Sequence, residues 1–105
     1  MTKGTKYDSD KARIDLIPAS TLFALGEIFR FGSEKYGDHN WRKGIKNSRL
    51  FAAVMRHMWQ YWGGETLDKE SGESHLWHAI TNISMMIEND NLRPELDDRY
   101  AKEKI

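Results

Sequence analysis

The stretch Trp59–Asn82, WQYWGGETLDKESGESHLWHAITN, sets the strongest limit on how this chain folds. An apolar run ends at Gly63-Gly64, a loop dense in carboxylates follows, and a second apolar-periodic run begins after Ser74. Paired glycines stop one helix and Ser71 or Ser74 can cap the next, so the stretch reads as helix, loop, helix. It also holds two of the four histidines, His75 and His78. Chemistry is expected here before anywhere else.

The remaining helices follow from the same rules. Pro18 and Ser20 suit a helix start, and Leu22, Leu25, Phe29, Gly32 and Tyr36 then recur at helical spacing. Glu27, Arg30 and Glu34 stand one turn apart on another face, the usual pattern of a solvated ladder of ion pairs. Glu34 also borders the helix end, where Gly37 can take a left-handed cap, so its carboxylate lies near a loop. Ser48 is expected to cap a second helix running to Trp62. Leu50, Phe51, Val54, Met55, Met58, Trp59, Tyr61 and Trp62 surround most of its circumference, which predicts a central helix, with His57 beside Arg49, Arg56 and Gln60 on its one wet side.

On a wheel of about 100° per residue, the third helix separates into faces. Leu76, Ala79, Ile80, Ile83 and Ile87 form an apolar face, and Glu73, Trp77, Thr81, Ser84 and Glu88 the opposite one. His75, His78 and Asn82 make a stripe between them, where polar groups need partners. NDNLRP breaks the helix after Glu88, and Pro94 can start a short last helix through Tyr100. Upstream, KARIDLIP alternates charged and apolar residues, which suits a short extended arm with Ala12, Ile14 and Leu16 packed and Lys11 and Arg13 outward. The expected fold is a small all-α bundle in one domain, 1–105, with an N-terminal arm to residue 17, a helical core over 18–88 and a tail or short helix over 89–105.

Sixteen basic and sixteen acidic residues balance, which argues against nucleic acid as a partner. The absence of cysteine excludes disulfides and thiolate chemistry, and no run approaches the ~18 apolar residues of a membrane span. A cytoplasmic protein without membrane contact is expected. A chain of 105 residues builds a thin core, so a homo-oligomer is the expected source of further burial.

Imidazoles at i and i+3 beside a carboxylate-rich loop can hold a divalent cation: Mg²⁺ or Mn²⁺ with mostly oxygen ligands, Zn²⁺ with more nitrogen. Glu65, Asp68, His75 and His78 are the first candidates, with His57 added from the second helix. The same residues also have plain structural roles open to them, the carboxylates at a helix N-terminus and the histidines as hydrogen-bonded core groups. The loop GDHNWRKGIKN offers Arg42, Lys43 and Lys46 as phosphate donors and Trp41 as a flat face for a base or a core anchor; Lys11 and Arg13 could reach an anion. Cation and phosphate donors combined describe phosphoanhydride hydrolysis, with Glu34 or Glu70 activating water. Without a metal they describe nucleotide binding alone.

The ordered motifs KARIDLIP, GSEKYGDHNWRKG, RHMWQYWGGE and DKESGESHLWHAITN resemble the phage-associated dATP/dGTP diphosphohydrolase N-terminal domain family, from Lys11 to about Ile87. The resemblance implies a MazG-like helical protein that converts purine deoxynucleoside triphosphates to monophosphate and pyrophosphate with Mg²⁺ or Mn²⁺, in the host cytoplasm if phage-encoded. By motif it points to Lys11, Arg13, Asp15, Glu34, Lys35, Asn40, Trp41, Arg42, Lys43, His57, Glu65, Asp68, Glu70, His75, His78 and Asn82. All-α pyrophosphohydrolases typically carry Glu-x-x-Glu and Glu-x-x-Asp pairs on successive helices; here His75 and His78 fall where such carboxylates would be. A phage protein that binds or sequesters a nucleotide without hydrolysing it is therefore the alternative.

Overall fold

Pro18 fixes where the first long helix begins, because its locked φ and the extended residue it demands before it mark a boundary. In the structure, a computed structural model describing residues 3–103, α1 spans Ala19–Tyr36 with Pro18 at its N-cap. Gly37 ends it with φ 94° and ψ 156°, a conformation only glycine takes easily, and its N–H donates to the Ser33 carbonyl at 2.8 Å. Helix α2 spans Asn47–Trp62, α3 His75–Leu92 and α4 Tyr100–Glu103, with single 3₁₀ turns at Ile14–Leu16, Asn40–Lys43 and Pro94–Leu96. There is no strand among the described residues, only an isolated bridge between Leu67 and Ser74, so the all-α expectation holds. No helix among them is long and apolar enough to cross a membrane. Of the expected arm and tail, residues 1–2 and 104–105 lie outside the described residues.

Helix α3 packs against both α1 and α2, most extensively against α2. The α2–α3 pair is antiparallel: His57 meets His75 at one end, and Asn47 meets Asn89 at the other. Asn89 is buried and its amide donates to the Ile45 carbonyl at 3.1 Å and to Asn47 Oδ1 at 2.9 Å. These bonds explain why α3 continues four residues past Glu88, where a break was expected. This last turn, Asn89 to Leu92, is rich in weak helix formers and is retained because Asn89 has buried partners.

Three further expectations are corrected. Helix α2 is not central, since only Asn47, Leu50 and Val54 are buried on it. Ser48 does not cap it; Lys46 holds that position, and Asp98 from the C-terminal segment accepts from the Ser48 N–H at 2.8 Å and from its hydroxyl at 2.5 Å. A carboxylate there satisfies one orphan N–H at the positive end of the helix. The segment Ile14–Leu16 is a 3₁₀ turn, not extended, and both Ile14 and Leu16 are exposed. Arg13 grips Asp15 in a two-pronged pair at 2.8 and 2.9 Å, which winds the chain there. Past Pro94 the single expected helix is a 3₁₀ turn followed, after Asp97–Arg99, by the separate short α4.

The buried faces are also rotated from expectation. On α1 the buried residues are Ala24 and Ile28, while Leu22 and Tyr36 are exposed. On α3 they are His75, His78, Ala79, Thr81 and Asn89, with Leu76, Ile83 and Ile87 outside. Thr81, placed by the wheel on the solvated face, is buried and donates to the Trp77 carbonyl at 2.8 Å. The result is an open, elongated molecule: its radius of gyration is 17.4 Å, where a compact chain of this length has about 13 Å.

Candidate functional site

The loop between α2 and α3 is fixed by backbone bonds before any side chain acts. Glu65 N–H donates to the Gln60 carbonyl at 3.0 Å, Asp68 N–H to Glu73 at 2.7 Å, Gly72 N–H to Asp68 at 2.7 Å and His75 N–H to Thr66 at 3.0 Å. Gly64 and Gly72 supply the positive φ values, 105° and 74°, that let the chain double back. Ser74 caps α3, accepting from the Leu76 N–H at 3.1 Å. The loop thereby folds its carboxylates over the first turn of α3.

There His57, Glu65, Asp68, His75 and His78 come together, although the first lies eighteen residues before His75. His75 is 0% exposed. Its Nε2 lies 3.0 Å from Glu65 Oε1, and its Nδ1 lies 2.8 Å from His57 Nδ1. A carboxylate only accepts, so Nε2 of His75 carries a hydrogen; in the neutral ring Nδ1 is then bare and accepts from the Nδ1–H of His57. Asp68 Oδ2 accepts from the Ser71 N–H at 2.9 Å and its hydroxyl at 3.0 Å, and His78 Nε2 lies 2.6 Å from Ser71 Oγ. With its proton on Asp68, the Ser71 oxygen accepts from His78 and from the Glu73 N–H at 3.1 Å, leaving it no lone pair for nucleophilic work. The rings of His57 and His78 stack, 4.6 Å between centroids and 7° from parallel, and Phe31 of α1 meets His78 edge-on at 6.1 Å.

His57, Asp68 and His75 each offer a ligand atom within 4.8 Å of the others. Glu65 and His78, expected as ligands, stand one step behind: Glu65 holds His75, and His78 supports His57 by stacking and Asp68 through Ser71. A set with two imidazole nitrogens is nitrogen-rich for Mg²⁺ or Mn²⁺, which prefer oxygen.

Burial lowers the pKa of His57, and the neighbouring His78 and His75 lower it further against the pull of Asp68. Burial likewise lowers His78, with Asp68 opposing. For Asp68 burial acts upward, but the Ser71 N–H and hydroxyl outweigh it and the net shift is downward. Histidines with depressed folded pKa values contribute stability in full above their unfolded value, near 6.5, and lose it as pH falls through the folded values. The melting temperature is thus expected to fall between about pH 6.5 and pH 5, and Asp68 to add a second loss only below about pH 4. A melting temperature level from about pH 7 to pH 5 in a buffer series would contradict this.

The other expected site residues lie elsewhere. Lys35 pairs with Glu70, tying the end of α1 to the carboxylate loop. Glu34 pairs with Arg30 at 2.7 Å on the outer side of α1. Asn82 donates to the His78 carbonyl at 2.8 Å, bracing the helix under the cluster. Lys11 and Arg13 are exposed, and Arg13 is engaged with Asp15. Asn40 opens the 3₁₀ turn that carries Trp41, Arg42 and Lys43. Arg42 lies over the Trp41 ring at 4.5 Å and 3.7 Å from Glu88, beside a hollow of about 200 Å³ lined by Trp41, Arg42, Glu88, Asn89, Leu92 and Arg93. Glu88 stands thirteen residues beyond His75 on α3, roughly 20 Å along the axis. One chain therefore presents two separate polar centres. Ser71 and Arg93 were not anticipated as site residues; Ser71 lies in the loop before α3 and is brought to His78 by the bonds from its N–H and hydroxyl to Asp68.

No solved structure matches the chain. In sequence, it is 34% identical over 96 residues to the dATP/dGTP diphosphohydrolase of Salmonella phage PMBT28, which covers 91% of this chain. The chain spans about a third of that relative's length (33%). Residues 1–99, taking in both polar centres, match the family described as dATP/dGTP diphosphohydrolase, N-terminal, and the chain belongs to that family.

Proposed function

We propose that this chain works in the hydrolysis of purine deoxynucleoside triphosphates, dATP or dGTP, to the monophosphate and pyrophosphate, in the cytoplasm of a phage-infected host. The observation that carries the reading is the family match over residues 1–99, which includes every residue of the histidine–carboxylate cluster. The 34% identical phage diphosphohydrolase supports the substrate class.

In this reading Arg42 and Lys43 hold phosphate oxygens, and the Trp41 face or Asn82 contacts the base, with Lys11, Arg13, Lys35 and Asn40 as further substrate contacts. Guanidinium and indole are already stacked at 4.5 Å, so a charged and a flat surface are offered side by side. Mg²⁺ or Mn²⁺ bound to the triphosphate would supply positive charge against the phosphate oxygens beside Arg42 and Lys43. Glu70, beside the cluster, or Glu34 takes the proton of the attacking water once released from its lysine or arginine partner.

The roughly 20 Å between the Arg42 centre and the cluster favours a homo-oligomer in which centres of different copies meet. A second reading, nucleotide binding without turnover, is favoured by one observation: both candidate bases are held in ion pairs.

Incubating the purified protein with each deoxynucleoside triphosphate and Mg²⁺ or Mn²⁺, then resolving products by ion exchange, tests the two readings. Equal amounts of purine monophosphate and pyrophosphate are expected, with pyrimidine triphosphates left intact. No monophosphate, together with calorimetric binding of dATP or dGTP, would favour the binding reading.

A further inference from the structure

We infer that the resident ion of the His57–Asp68–His75 cluster is a nitrogen-seeking transition metal of the Zn²⁺ class, and that Glu65 acts on it through His75. The inference rests on the reading of this cluster as a metal site and goes beyond the Mg²⁺ or Mn²⁺ that accompanies a triphosphate.

Three features support it. First, the donors that converge are two imidazole nitrogens and one carboxylate oxygen, all within 4.8 Å. Mg²⁺ takes an octahedron of oxygens and sheds water reluctantly, whereas imidazole suits Zn²⁺ and its late first-row neighbours. Second, each donor is already aimed. Glu65 Oε1, 3.0 Å from Nε2 of His75, leaves the Nδ1 lone pair as the binding atom, which is the carboxylate–histidine arrangement found behind metal-ligating imidazoles. Asp68 is oriented by two bonds from Ser71, and His57 by the parallel ring of His78. Third, the spacing is close to that required. Two nitrogens ~2.0–2.1 Å from one tetrahedral ion stand roughly 3.3 Å apart, and His57 Nδ1 and His75 Nδ1 are 2.8 Å apart, so a shift of about half an ångström, with the His57 hydrogen moved through solvent from Nδ1 to Nε2 so that the ring stays neutral, makes room for an ion between them.

Three protein ligands leave one tetrahedral position for an exchangeable oxygen, from water or from phosphate. His57 and Asp68 are only half-buried, so such a ligand can reach them.

The test is calorimetric titration of the chelator-stripped chain with Zn²⁺, Co²⁺, Mn²⁺ and Mg²⁺ in turn, with visible absorption followed during the Co²⁺ titration. One equivalent of Zn²⁺ or Co²⁺ per chain is expected, at least roughly a hundredfold tighter than Mn²⁺, with an intense tetrahedral Co²⁺ band. His57→Gln and Asp68→Asn should abolish the band while far-ultraviolet circular dichroism shows the helices retained. Glu65→Gln should keep the band and weaken binding by about 10–100-fold. Loss of the band in Glu65→Gln would make Glu65 a ligand and overturn its assigned role. Mn²⁺ or Mg²⁺ binding as tightly as Zn²⁺ would overturn the choice of ion. Triphosphate hydrolysis with Mg²⁺ in a chain that binds neither Zn²⁺ nor Co²⁺ would overturn the inference and leave the hydrolase reading intact. Tight Zn²⁺ binding without hydrolysis would do the reverse.

Discussion

Replacing His75 with alanine is expected to destabilise the chain by about 3 kcal/mol, a fall in melting temperature of roughly 12–24 °C for a domain of this size. The ring is 0% exposed and joins Glu65 to His57 through both of its nitrogens. Its removal leaves Glu65 and His57, both half-buried, without their shared partner, each costing on the order of 1 kcal/mol because water still reaches them, and leaves a void the size of the ring at the head of α3. His75→Asn keeps one polar atom near the lost Nδ1 and should recover part of the loss. His39 is the internal control: it is exposed, its contact is a 3.4 Å approach to Arg42, and His39→Ala should move the melting temperature little. If His75→Ala melts within about 2 °C of the unsubstituted chain, the cluster does not brace the helix junction.

How far the sequence announced this arrangement depends on the kind of signal. The helix ends marked by Pro18, Gly37 and Gly63 were legible, because these residues act through local backbone geometry, whereas the start of α2 and the end of α3 depend on Asp98 and on the buried Asn89, partners distant in sequence. The histidine stripe was legible too, since spacing alone puts His75 and His78 on one side of α3. The inward direction was not. Helix α2 is apolar around most of its girth and α3 has a clean aliphatic face, yet the residues buried on the two are Asn47, Leu50 and Val54, and His75, His78, Ala79, Thr81 and Asn89. A hydrophobic wheel ranks faces by transfer free energy and so assigns the aliphatic face to the core. It does not count the hydrogen bonds to Glu65, His57 and Ser71 that let the histidines turn inward. The roles of Glu65 and Asp68 were obscured for another reason: in GETLDKESGES several carboxylate pairs share ligand-like spacing, and only the folded loop separates Glu65 on His75 from Glu70 on Lys35.

The aliphatic and aromatic surface left outside leads to the second large expected effect. Phe51, Met55, Met58, Trp59 and Trp62 form one continuous stripe along α2 at helical spacing, and Trp59 and Trp62 remain 66% and 79% exposed. Leu76, Ile83 and Ile87 line a similar stripe on α3. The chain exposes 8506 Å², against about 6,100 Å² for a compact monomer of 12.3 kDa. That excess, about 2,400 Å² on one chain, is more than enough for an obligate homodimer, which buries roughly 2,000–5,000 Å² counted over both of its chains. Sedimentation at high concentration should therefore give at least a dimer. Because a two-fold interface uses each side chain twice, a tryptophan worth about 2 kcal/mol on each side makes Trp62→Ala cost about 4 kcal/mol of association, on the order of a thousandfold in Kd. Trp59→Glu with Trp62→Glu should go further and yield a monomer of lower melting temperature, since dissociation removes burial that the single chain does not replace. An unsubstituted chain that sediments as a monomer, with its melting temperature independent of concentration, would show instead that these tryptophans face solvent or a different protein.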